Sequence, residues 1–321
     1  MNWQDFKNKQ SKQPNERAKG YEFEKLVQLY LTHSPSYKNI LNKAWLLNEV
    51  PLKIKKYLKL PDKDMGIDLI CESASKEYWA IQCKYLNDED SSLGHKMLST
   101  FTSLATGYCK NINQLLVCTS ANRYGSFFKK YPNISFITGE TWRELDENYF
   151  DILYNKKENL NLSPYLPFDY QQPAIDKSKI YFSKYKRGKL IMPCGSGKSL
   201  TAYWIADVLK AKRIIVALPS IYLIKQTVGV WFREIIANKQ DYSYRIVCSD
   251  LTTGMIDKSS ELKTNIQDIG IPADTKIESI SNWFVTQKTK NFIVFTTYQS
   301  GKTLAKAARI AKLKFDFAIF D

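Results

Sequence analysis

Histidine is almost missing from this 321-residue chain, which holds only His33 and His95. The six cysteines, at positions 71, 83, 109, 118, 194 and 248, never form a C-x-x-C pair. Together these shortages exclude the common zinc patterns and give no basis for a disulfide framework, so reduced, mostly buried thiols are expected. Long apolar runs are lacking too, and the chain starts on the polar stretch Met1-Asn2-Trp3-Gln4-Asp5. That pattern argues for a cytoplasmic protein with no membrane partner and no secretory leader. No internal repeat or low-complexity block is visible. Acidic residues run short as well, 32 Asp and Glu against 47 Lys and Arg, for a net charge of +15. The deficit is uneven: 23 basic face 19 acidic side chains in residues 1–160, and 24 face 13 in residues 161–321. An excess of this kind suits a surface that tracks a polyanion, with a solvated lysine coat as the plainer alternative.

What is present is an ordered, mixed composition, 44% hydrophobic and 13% aromatic. The length suits about two domains, each with its own core. Residues 156–168 are polar and proline-bearing, as linkers are, which gives a first domain over 1–155 and a second over 169–321. In the first, helical spacing of Phe23, Leu26, Val27, Tyr30 and Leu31 predicts a helix over 16–32. Strands are expected at 67–72, 78–84, 114–119 and 134–137, with a helix over 94–106. A last helix should open at Thr141, with Glu144 completing a capping box. The second domain alternates helices with strands at 189–192, 213–218, 244–248, 292–296 and 315–320, the pattern of a parallel sheet covered on both faces. The fold class is therefore α/β in both halves.

The most informative stretch is Met192-Pro193-Cys194-Gly195-Ser196-Gly197-Lys198-Ser199. Gly195 and Gly197 let the backbone around Ser196 turn its N–H groups inward at the start of a helix, where an anion sits well. Lys198 can then reach β- and γ-phosphates while the Ser199 hydroxyl binds Mg²⁺, so ATP is the expected ligand. In the first domain, an antiparallel hairpin turning at 74–76 pairs positions that sum to about 150, which sets Asp68 nearly opposite Gln82 and Lys84. Alternation puts Gln82 and Lys84 on one face and Ile81 and Cys83 on the other. A carboxylate and an ammonium so placed suit Mg²⁺-dependent phosphodiester hydrolysis. Asp68 and the Cys83 carbonyl would bind the metal, Lys84 would act on the attacking water, and Glu24 on the first helix, or Asp64, would complete the outer shell. The plain alternative is a surface ion pair. Lys53-Ile54-Lys55-Lys56-Tyr57-Leu58-Lys59 could grip a phosphate backbone, although a solvated face is the usual meaning of such a run.

These residues carry two resemblances. Gly20-Tyr21-Glu22-Phe23-Glu24, Gly66-Ile67-Asp68 and Gln82-Cys83-Lys84 resemble the signature stretches of Mrr-like PD-(D/E)xK nucleases, with Gln82 where most of that superfamily is acidic. In the second domain Phe168-Asp169-Tyr170-Gln171 resembles the Q motif of superfamily 2 helicases, whose glutamine reads adenine. Leu218-Pro219-Ser220 and Thr296-Thr297-Tyr298-Gln299-Ser300 resemble that family's DNA-contacting motifs. Phe315–Asp321 resembles motif II, which would make Asp321 a second Mg²⁺ ligand. A restriction-endonuclease-like domain followed by a RecA-like lobe is similar to the start of single-polypeptide Type ISP restriction-modification enzymes. That resemblance implies ATP-driven translocation on double-stranded DNA, cleavage when two copies meet, and a continuation carrying the rest of the motor and an S-adenosylmethionine-dependent methyltransferase. The motor subunit of a multi-subunit Type I restriction enzyme is the nearest alternative, and a DNA-binding remodeller with an inactive nuclease fold is another.

Overall fold

In a computed structural model, which describes residues 1–61, 65–130, 133–155, 162–248, 266–287 and 290–321, the chain divides into two compact units. One comprises Met1–Leu160 with Asn265–Pro272, the other Asn161–Thr264 with Ala273–Asp321.

The first unit opens with α1 (Trp3–Gln10), α2 (Glu16–His33) and α3 (Pro35–Lys38). The long amphipathic pattern behaves as expected: Asn15 caps α2 by accepting the Ala18 N–H, and Phe23, Leu26, Val27 and Leu31 are buried along one side. Then follow β1 (Leu41–Leu46), α4 (Leu52–Leu58), β2 (Leu69–Ser73), β3 (Tyr78–Lys84), the short β4 (Ser92–Leu93) and α5 (His95–Ser103). The unit continues through β5 (Ile112–Thr119), β6 (Arg123–Tyr124), β7 (Ile134–Ile137), α6 (Gly139–Arg143) and α7 (Glu147–Asn155). Five strands form one sheet in the order β1-β2-β3-β5-β7, antiparallel from β1 to β3 and parallel from β3 to β7. This is the mixed sheet expected. The hairpin register is also the expected one, with Leu69 opposite Ile81, Ile70 opposite Ala80 and Cys71 opposite Trp79.

One sheet face packs Ile70, Ala80, Leu115, Val117 and Phe136 against Leu58 beside α4 and Leu98 and Phe101 of α5. On the other side α2 contacts β1 and β3. There Phe23 meets Trp142 edge-on at 5.3 Å, and the Trp142 indole N–H donates to the Thr119 carbonyl at 2.8 Å. Helix α6, which α7 follows, corrects an expectation. It starts at Gly139 after an extended Thr138, so Thr141 lies inside it, Glu144 is its C-terminal cap, and no capping box forms. A contact remote in sequence decides this: the Gly139 N–H donates to the Ala121 carbonyl at 2.9 Å as the chain leaves β7.

The second unit contains α8 (Gln172–Phe182), α9 (Lys198–Val208), β8 (Arg213–Leu218), α10 (Ile221–Ala237) and β9 (Ser243–Val247). It ends with β10 (Ala273–Asp274), α11 (Ile277–Thr286), β11 (Phe292–Thr297), α12 (Gly301–Ile310) and β12 (Phe317–Phe320). All five strands run parallel in the order β10-β9-β11-β8-β12. Phe295 faces Trp231 and Phe232 of α10, whereas Phe292 and Val294 face α11 and α12, so helices cover both faces. The strand expected at 189–192 does not form: β12 occupies the place beside β8, and Leu190 and Ile191 are 47% and 81% exposed with no ladder partner. The final strand is shorter than expected because Phe315 turns into the core against Phe284 and Phe292. Asp316 then accepts the main-chain N–H groups of Lys212 and Arg213.

Trp142 is fully buried and its indole also satisfies a strand carbonyl. Trp142→Ala is expected to destabilise the first unit by about 3–5 kcal/mol, read as a lower denaturant midpoint with unchanged ATP affinity.

Candidate active sites

The first candidate site forms where β2 and β3 part. Gly66, at φ +100°, directs the chain into Ile67 and Asp68; a Cβ there would meet the Gln82 side-chain nitrogen at 3.2 Å. The Asp68 N–H still joins the ladder, donating to the Ile81 carbonyl at 2.9 Å, and its own carbonyl accepts from Leu47 N–H at 2.8 Å. One residue further along β3 the ladder bond is made by a side chain instead. Asp68 Oδ2 accepts the Cys83 N–H at 2.6 Å, a short charge-assisted bond inside the protein, where Asp68 is 8% exposed. Beyond that point β3 pairs only with β5, Gln82 to Val117 and Lys84 to Thr119. Among the described residues no strand pairs its other edge over Gln82–Lys84, where the Cys83 N–H is taken by Asp68.

Thr119 and Ser120 anchor this strand end. The Thr119 hydroxyl donates to the Lys84 carbonyl at 2.9 Å, and Ser120 bonds both the N–H and the carbonyl of Leu86. Lys84 is half-buried and shares the sheet face of Gln82. Gln82 is buried, and its Oε1 has no hydrogen-bond partner. A buried, unpaired acceptor beside a carboxylate is a costly arrangement unless a cation supplies the missing partner. Glu24, on α2, contributes from the other side: burial first, then the charges of Cys118, Asp68 and Glu24, hold the Cys83 thiol well above its ordinary pKa, while Lys84 opposes them. Asp68, Glu24 and Lys84 thus gather around Cys83.

Among the described residues no group of three or more His, Cys, Asp or Glu side chains is placed to hold a metal. A cation at Asp68 would therefore also need the Gln82 amide oxygen or a main-chain carbonyl such as that of Cys83, all hard oxygen donors of the kind Mg²⁺ takes. Asp64 lies outside the described residues. The stretch Gly66-Ile67-Asp68 is legible in the sequence, but the roles of Gly66 in turning the chain and of Thr119 and Ser120 in anchoring the strand end are not.

The second candidate site is the loop before α9. Gly197 caps the helix in the left-handed conformation at φ +72°, which places Lys198 as its first residue. Trp231 of α10 holds the turn by donating to the Ser199 carbonyl at 2.9 Å. The Ser199 hydroxyl is buried and has no hydrogen-bond partner, which fits a metal-ligating group. A cavity of about 830 Å³ brings together Lys198, Ser199 and Asp321 with Tyr170, Lys177 and Leu190, a volume in the range of cofactor sites. Asp321 reaches it from the end of β12, its N–H donating to the Ala217 carbonyl at 3.1 Å and its own carbonyl accepting from the Tyr298 hydroxyl.

Gln171, expected to read adenine, is bonded within the loop region in this structure. Its amide nitrogen donates to the Ser196 carbonyl at 2.9 Å and its oxygen accepts the Phe168 N–H at 2.8 Å, so both ends are engaged. A Cβ at Gly197 would come within 2.6 Å of that amide nitrogen, which makes glycine obligatory for this contact. The two motifs expected to touch DNA are structural in part: Ser220 caps α10 through the Leu223 N–H, and Thr296 donates to the Val247 carbonyl.

Two protein families match the chain. The Mrr_cat_2 family, described as restriction endonuclease, matches residues 32–139, and the ResIII family, type III restriction enzyme res subunit, matches residues 165–321. No curated protein sequence matches. Among solved structures, the ATP-dependent Type ISP restriction-modification enzyme LlaBIII bound to DNA superposes with a TM-score of 0.76 at 25% identity, over 99% of this chain and 20% of that one. A nuclease-deletion mutant of the Type ISP enzyme LlaGI, in complex with a DNA substrate mimic, is 28% identical over 48% of this chain and 12% of that one, at a TM-score of 0.35. The present chain thus spans about one fifth of the length of LlaBIII. It carries a restriction endonuclease domain of the Mrr_cat_2 family followed by a helicase-like domain of the ResIII family, in the fold of the Type ISP restriction-modification enzymes.

Proposed function

We propose that this chain is the cutting and first motor section of an ATP-dependent restriction endonuclease that translocates along double-stranded DNA and hydrolyses its phosphodiester bonds with Mg²⁺. The observation that carries the reading is the trio at the edge of β3: a buried carboxylate fixed by the Cys83 N–H, a buried amide oxygen with no partner, and a half-buried lysine on the face of that amide.

Asp68, Gln82 and the Cys83 carbonyl would hold a Mg²⁺ ion, with Glu24 adding negative charge from α2, and the ion would supply an acidified water and offset charge on the scissile phosphate. Lys84 would balance the charge that grows on the phosphate oxygens, with its main chain pinned by Thr119 and Ser120. In the second unit the loop amides, the N-terminus of α9 and Lys198 receive the ATP phosphates, and Ser199 and Asp321 receive the second Mg²⁺. DNA is the partner in both activities, and a second copy of the enzyme joins when cleavage occurs.

Two experiments on the complete protein test this. With plasmid DNA and Mg²⁺, Lys84→Ala should lower cleavage at least ~100-fold and leave ATP hydrolysis intact. Lys198→Ala should abolish ATP-dependent cleavage and spare any ATP-independent nicking. If both variants lose both activities while folded, the assignment of two separate sites fails. The second experiment uses the loop thiol. Of the six cysteines in these 321 residues Cys194 alone is exposed, so its modification by a maleimide, followed at the peptide that carries it, should be rapid, and Mg-ATP should slow that modification at least tenfold. Equal rates with and without Mg-ATP would contradict nucleotide binding at this loop.

A further inference from the structure

Residues 50–61 contain four lysines, at 53, 55, 56 and 59, and no acidic side chain. They form α4 and its cap. Leu58 and Leu60 enter the core with Ile54 packed against it, on the sheet face that carries Tyr78 and Ala80. Alternation along β3 puts Gln82 and Lys84 on that same face. Burying one side of so short a helix turns the other outward: Lys53, Lys56 and Lys59 are exposed and Tyr57 is 56% exposed.

The face is held firmly. Lys59 closes α4 in the left-handed conformation, at φ +51°. The Asn111 amide donates to the Tyr57 carbonyl at 3.1 Å and the Lys110 N–H to the Leu58 carbonyl at 2.9 Å, which sets Lys110 beside the helix as a fifth cation. The Tyr57 ring meets the Tyr78 ring at 5.9 Å. Among the described residues none of these five lysines has a salt bridge, although Lys76 nearby on the hairpin pairs with Glu72. Exposed ammonium groups at Lys53, Lys56, Lys59 and Lys110, with no salt bridge among the described residues, repel one another, and a polyanion relieves that repulsion.

Resting on the nuclease reading above, we propose that α4, with Lys59, Tyr57 and Lys110, is a second contact surface for the phosphate backbone of duplex DNA, separate from the motor. Tyr78 to Lys84 is six residue steps of strand, about 20 Å, so the surface lies one β3 length from the cutting residues. A duplex laid along β3 with its scissile phosphate at Lys84 would present a backbone phosphate to α4 roughly six base pairs away. Lysine charge and a tyrosine hydroxyl suit phosphate contact without base reading. The surface would set the direction in which DNA enters the nuclease and add nothing to sequence choice.

The test is the salt dependence of plasmid binding by the complete protein, without ATP or metal. The triple variant Lys53→Ala, Lys56→Ala, Lys59→Ala should reduce the slope of log affinity against log salt by about 2–3, since each lost phosphate contact removes ~0.9. The corresponding triple arginine variant should restore it, and ATP hydrolysis should be unchanged in both. An unchanged slope in the folded alanine variant overturns the proposal, and so does a reduced slope that arginine does not restore. Cleavage is not read in this assay, so failure of the nuclease reading would show separately, as cleavage insensitive to Lys84→Ala.

Discussion

The hydrogen bond from the Cys83 N–H to the Asp68 carboxylate is the constraint on which the nuclease half depends. It substitutes a side chain for a ladder carbonyl at the place where β2 ends and β3 runs on. Two consequences follow from that single exchange. The carboxylate is held in a buried setting without a rotamer search, and the edge of β3 beyond it has no strand partner among the described residues. The supporting elements each fix one part of this geometry. Gly66 turns the chain in, β5 pairs the far edge, and Thr119, Ser120 and Trp142 hold the strand end.

The second unit solves a similar problem with helix ends. A left-handed glycine starts α9 directly behind the loop, Trp231 secures the first turn, and the Ser199 hydroxyl is left buried and unpaired. In both units a buried oxygen without a hydrogen-bond partner, Gln82 Oε1 in one and Ser199 Oγ in the other, lies one or two positions from a lysine. Gln171 adds a latch: with its amide tied to the Ser196 carbonyl, the loop is already shaped when a nucleotide arrives.

Much of this was legible because it is local. The β2–β3 register follows from a short turn and an alternating pattern, so Asp68, Gln82 and Lys84 could be set together from sequence. The α2 helix and the alternation of β8 to β12 with helices are equally plain. What escaped depends on contacts remote in sequence. The start of α6 is set by the Ala121 carbonyl and not by the nearest threonine. The apolar stretch at 189–192 reads as a strand, yet a strand exists only where an edge accepts it. α1 carries a weak apolar pattern and is held by the Trp3 indole on Glu89 and by ring contacts to Tyr85 and Phe150. Gln171 was singled out as an adenine contact, whereas the partner its amide nitrogen takes is a carbonyl 25 residues away, which no motif states.

The lysines of α4 illustrate a different gap between sequence and structure. A run of basic residues has two meanings, and composition cannot separate them. The exposed side shared by Lys53, Lys56 and Lys59, the absence of salt bridges on them among the described residues and the sheet face α4 shares with Lys84 are what support the proposed ligand surface over a solvent coat.

The central claim is that Asp68 and Gln82 together complete a divalent-cation site. The direct measurement is a crystal structure of the complete protein soaked in Mn²⁺, read by anomalous scattering. The account requires a peak within about 2.0–2.3 Å of an Asp68 carboxylate oxygen and of Gln82 Oε1. An ordered site with no metal peak there, and with the Gln82 amide bonded to protein instead, would contradict it.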